Sequence, residues 1–140
     1  MSEPHWAMDY LGKPWVNGAT GPDAYDCYGL VVAAYRDMLG ETLPIFSVAA
    51  SEPLRLRRLM ADNVEPDSPF GWYREVVPSE LDAVLLSHGE RPHHVGLWTN
   101  ADGGRVVHSL EGVGVVAESL ATLNLGAWKV LGYFSRRVSP

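Results

Sequence analysis

Cys27 is the only cysteine among 140 residues, and it stands in Asp26-Cys27-Tyr28-Gly29-Leu30-Val31, where the turn-rich stretch 17–23 gives way to an apolar run. A thiol in the first turn of a helix faces the positive end of the helix dipole, which favours the nucleophilic thiolate. The same helix start supplies backbone N–H groups without intrahelical partners, which can hold the negative oxygen of a tetrahedral intermediate, and Gly29 would keep the approach open. A lone cysteine is also among the most commonly buried structural residues, so nucleophilic chemistry requires a base nearby.

The histidines supply one. His93-His94-Val95-Gly96-Leu97-Trp98 alternates as a strand, so His93 and His94 point to opposite faces and at most one can meet the thiol. Asn100-Ala101-Asp102-Gly103-Gly104 is a turn, after which Arg105-Val106-Val107-His108-Ser109 returns antiparallel. Pairing centred on Ala101 places His94 directly opposite His108, with Cβ atoms roughly 4.5–5.5 Å apart on one face. His94 then serves as base and His108 as the ring that orients it, while a one-residue slip would separate them. His5 and His88 have no such support and read as surface residues. Cys27, His94 and His108 are also ligands that zinc accepts, but no C-x-x-C or H-x-x-x-H pair accompanies them and a fourth ligand is missing. No metal and no cofactor is expected.

These residues need a helix and a sheet to hold them. Residues 6–11 can form a short helix. A long one begins at Asp26, a good N-cap, carries Leu30, Val31, Ala34, Tyr35 and Met38 at three- and four-residue steps, and stops at Gly40. The stretch 41–78 contains five prolines and reads as an excursion with one helical piece over 51–61. Short apolar runs follow at 83–87, 95–98, 105–109, 113–117 and 130–135, the pattern of an antiparallel meander. The expectation is a single α+β domain over 1–140, with the Cys27 helix packed on a sheet of about five strands.

Composition narrows the function classes. The net charge of −6 argues against nucleic acid as partner, and the densest basic cluster, Arg55-Leu56-Arg57-Arg58, reads as a solvated helix face. No segment approaches the roughly 18 apolar residues of a membrane span, and the first residues lack the basic start and apolar stretch of an export signal. A soluble protein made in the cytoplasm and without membrane contact is expected. One cysteine cannot form an internal disulfide, and it must stay reduced to act.

Taken in order, Gly12-Lys13-Pro14-Trp15-Val16-Asn17-Gly18, Asp26-Cys27-Tyr28-Gly29-Leu30-Val31, His94-Val95-Gly96-Leu97-Trp98 and Val106-Val107-His108-Ser109 resemble the motifs of the NlpC family of papain-like cysteine peptidases, which act on bacterial cell-wall peptides. The resemblance covers the chain from about Tyr10 to Val138. It implies a papain-like fold, Cys27 as nucleophile, His94 as base and His108 as third polar residue. It also implies substrate-binding roles near Asp26, Trp15 and Tyr28, although the family often has tyrosine where Trp15 stands and serine where Tyr28 stands. The aromatic residue after the cysteine, the missing signal and the excursion at 41–78 are most similar to the branch associated with phage and prophage tails. That branch implies a peptidoglycan stem peptide as substrate, tail proteins as partners, and delivery to the cell wall by the virion. A structural tail component with the same fold and little catalysis is the rival expectation.

Overall fold

A computed structural model describes residues 5–43, 72–88 and 91–136. The helix anticipated over 51–61, the basic cluster at 55–58 and most of the excursion lie outside the described residues.

A 3-10 turn, Trp6–Asp9, stands where the first short helix was expected, capped by the His5 ring. The main helix, α1, runs Cys27–Leu39. Asp26 caps it by accepting from the Gly29 N–H, and Gly40 ends it in the left-handed conformation at φ 65°, with Glu41 N–H closing on the Tyr35 carbonyl. Both ends thus follow from residue types that satisfy orphan backbone groups. Every residue from Tyr28 to Tyr35 is buried, so the first two turns are enclosed on all sides rather than along one stripe, whereas Met38 is partly exposed.

The strands are β1 (Trp72–Glu75), β2 (Ala83–His88), β3 (Arg91–Thr99), β4 (Arg105–Leu110), β5 (Gly114–Glu118) and β6 (Lys129–Arg136). They form one antiparallel sheet of six strands in the order β1-β6-β2-β3-β4-β5. The meander holds from β2 to β5, but β6 returns to lie between β1 and β2. The additional strand, β1, comes from the end of the excursion, where Trp72 is wholly buried against Tyr35. A six-residue helix, α2 (Leu120–Leu125), connects β5 to β6, with Ser119 as its N-cap.

The alternation of each strand feeds two cores. Ala83, Leu85, Val95, Leu97, Val107, Val115 and Phe134 pack with α1. Val84, Leu86, Trp98 and Val106 pack on the other face with Leu123 of α2, flanked by Trp128, Val130 and Tyr133. Among the described residues, no helix is long and apolar enough to cross a membrane.

Candidate active site

The loop 12–26 fixes where the thiol sits. Gly12 donates to the Val115 carbonyl at 3.0 Å and Val115 donates back to the Lys13 carbonyl at 2.9 Å, so the segment runs along the outer side of β5. Asp26 then holds both ends of the remaining loop. Its Oδ2 accepts from Gly18 N–H at 2.8 Å and its Oδ1 accepts from Gly29 N–H. Asp26 is 7% exposed. Burial raises its carboxyl above the usual range, and the bonds from Gly29 and Gly18 oppose that rise. A side chain at Gly29 would overlap the Ala19 carbonyl, so glycine is required there by the returning loop. Its N–H is committed to Asp26.

Cys27 retains some accessible surface as a residue, but the sulfur is surrounded by protein. Burial pushes the thiol up to about 12, with the neighbouring Asp26 charge adding to the rise. Hydrogen bonds from the backbone of Val95, Tyr28 and Cys27 itself act in the opposite direction. Desolvation thus opposes the helix-start effect and favours the protonated thiol over the thiolate expected from position alone. The bond to Val95 places the sulfur against β3, one residue from His94.

His94 and His108 meet, although by a different register from the one expected. The observed pairs are Leu97 with Val107, Trp98 with Val106 and Thr99 with Arg105, a hairpin centred on Asp102 instead of Ala101. Asp102, Gly103 and Gly104 all take positive φ, and a Cβ on Gly104 would stand 2.7 Å from the Trp98 ring, so this turn is built for small and left-handed residues. Moving the centre by one residue shifts each partner by two, which preserves the face of every side chain. His94 and His108 become diagonal neighbours, and the rings close the distance: His94 Nε2 lies 3.0 Å from His108 Nδ1. Gly96 makes the room, since a Cβ there would come within 2.9 Å of the His108 Cβ.

Two residues not singled out from the sequence complete the arrangement. Glu118 Oε1 lies 2.7 Å from His108 Nε2, because Val106 pairs with Glu118 and His108 with Val116 across β4 and β5. Trp128 packs against His94 at 4.9 Å and His108 at 5.8 Å between ring centroids, with His88 on it at 4.8 Å. His108 is fully buried, and burial holds its ring below the ordinary imidazole range against the opposing pull of Glu118. A symmetric turn around Gly112 was the signal that could have found Glu118. Trp128 had none, because α2 brings it in.

No family model matches the sequence, and no curated protein is similar enough to count as a relative.

The row His94-His108-Glu118 thus lies on the sheet face shared with Trp128, while Cys27 packs with the α1 core. Pairing of β3 with β4 stops at Leu97 and Val107, and the sulfur meets β3 beyond that point. Of the other candidates, Trp15 is half-buried in the loop before the thiol. Tyr28 is 3% exposed and packs in the α1 core, where Arg136 lies near enough to act on it electrostatically. Among the described residues, no group of three or more His, Cys, Asp or Glu side chains is placed to hold a metal ion.

Proposed function

We propose that the protein is a cysteine endopeptidase with the papain-like fold of the NlpC family, cleaving an amide in the peptide stem of peptidoglycan, with the D-glutamyl to diamino-acid bond as its target. The observation that carries this reading is the approach of the Cys27 sulfur to Val95, next to a histidine already hydrogen-bonded to a second, buried histidine. His94 takes the thiol proton as sulfur attacks the carbonyl carbon. The Cys27 and Tyr28 N–H groups stabilise the oxyanion, and His94 passes its proton to the leaving amine, leaving a thioester that water hydrolyses. Carriage on a phage or prophage tail would bring a protein of net charge −6 to an anionic envelope that it would not seek unaided.

Incubation with purified sacculi followed by mass spectrometry of the released fragments tests this directly. Cleavage that disappears in Cys27→Ala and in His94→Ala is expected, and full turnover by either variant refutes the mechanism.

One observation favours a second reading, a structural tail component that retains the fold without catalysis: the buried Cys27 thiol is pushed up to about 12. A peptide-like electrophile separates the two. Labelling of Cys27 that depends on His94 supports the peptidase, and labelling indifferent to His94→Ala supports the structural role.

A further inference from the structure

We infer that Glu118 is a positioning residue that fixes which nitrogen of His94 carries the proton, acting through His108; this rests on the peptidase reading only for its effect on turnover. The argument follows the direction of each hydrogen bond. A carboxylate has no proton to give, so at 2.7 Å from Glu118 the Nε2 of His108 must be the donor. A neutral imidazole protonated on Nε2 has a bare Nδ1, which can only accept. The His108 Nδ1 is 3.0 Å from His94 Nε2, so His94 must donate from Nε2. The Nδ1 of His94 then carries no proton, the state that the peptidase reading requires of its base.

The geometry excludes the reverse order while Glu118 is a carboxylate. Were His108 protonated on Nδ1, its Nε2 lone pair would face the Glu118 oxygen with no proton between them. His94 would then have to accept at Nε2 and carry its own proton on Nδ1, the state unable to act as base. Burial of His108, with the Trp128 ring against it, keeps water from supplying a substitute partner.

The same row serves the charged intermediate. When the Cys27 proton moves to His94 Nδ1, the resulting imidazolium still donates from Nε2 to His108, and the positive charge is aligned with the Glu118 carboxylate at the end of the row. No proton needs to leave His108 for this to hold.

Glu118→Gln tests the inference because it keeps the shape but can donate an amide N–H to His108 Nε2, which reverses every bond in the row. Ring nitrogen-15 NMR of the full chain is expected to show His94 protonated on Nε2 in the parent protein and protonated on Nδ1, wholly or in part, in Glu118→Gln. Turnover should fall about 10²- to 10⁴-fold with KM little changed, the scale seen when the carboxylate behind a catalytic imidazole is replaced by its amide. Glu118→Asp, which retains the acceptor, should recover the parent tautomer. A parent protein with the His94 proton on Nδ1, or a Glu118→Gln variant with parent spectra or parent turnover, overturns the inference. A parent protein with the expected tautomer but no release from sacculi overturns the peptidase reading and leaves the role of Glu118 intact.

Discussion

The Ser109 hydroxyl donates to the Tyr25 carbonyl at 2.7 Å, joining the strand that carries His108 to the turn that delivers Cys27. Ser109 is fully buried, so Ser109→Ala strands a carbonyl without a partner and should cost about 1–3 kcal/mol. Denaturant unfolding measures that loss. On the peptidase reading proposed above, release from sacculi should fall with it, since the bond joins the turn before Cys27 to the strand that carries His108.

Asp26 acts on the thiol in two opposing ways, as the cap that places it and as a charge that holds its proton. Asp26→Asn keeps a cap acceptor and removes the charge. Thiolate absorbance on alkaline titration should therefore appear at lower pH than in the parent, whose thiol is pushed up to about 12. Asp26→Ala also removes the cap and should destabilise the protein by about 0.5–2 kcal/mol.

Gly96 decides whether the two rings can meet. A methyl at this position would stand 2.8 Å from the Val106 side chain and 2.9 Å from the His108 Cβ, so Gly96→Ala should cost roughly 1–3 kcal/mol in overpacking. The expected outcome is a folded protein by circular dichroism in which, on the peptidase reading, release from sacculi is lost out of proportion to the drop in stability.

Asp82 controls stability at a distance from the thiol. It is 2% exposed, accepts from the Ser79 N–H at 2.8 Å, and is raised to about 7 by burial and by a hydrogen bond with Glu75. The folded state therefore holds this proton more tightly than the unfolded chain, whose carboxyl titrates near 4. Its contribution is fully present below about pH 4 and is lost as pH rises toward about 7. Urea midpoints followed across that window should show the decline, and Asp82→Asn should flatten it.

Much of this arrangement was legible in advance. The start and stop of α1 follow from Asp26 and Gly40 because caps are local chemistry. The face shared by His94 and His108 survived an error in register, since the observed displacement moved partners by an even number. The insertion of β6 beside β1 was not legible, because nothing in a strand's own pattern names its neighbour. The enclosure of the thiol was not legible for a related reason: the dipole at a helix start is written in the sequence, whereas the burial that raises the Cys27 thiol arises only when the distant Val95 segment comes against it.

The pair of bonds between the Gly12–Lys13 backbone and Val115 has a consequence for association. At Val115 the outermost strand already has its neighbour, supplied by the same polypeptide, so another chain's strand finds no free amide and carbonyl there to extend the sheet. Strand addition is hindered at Val115, where an approaching peptide encounters the segment leading to Trp15 instead.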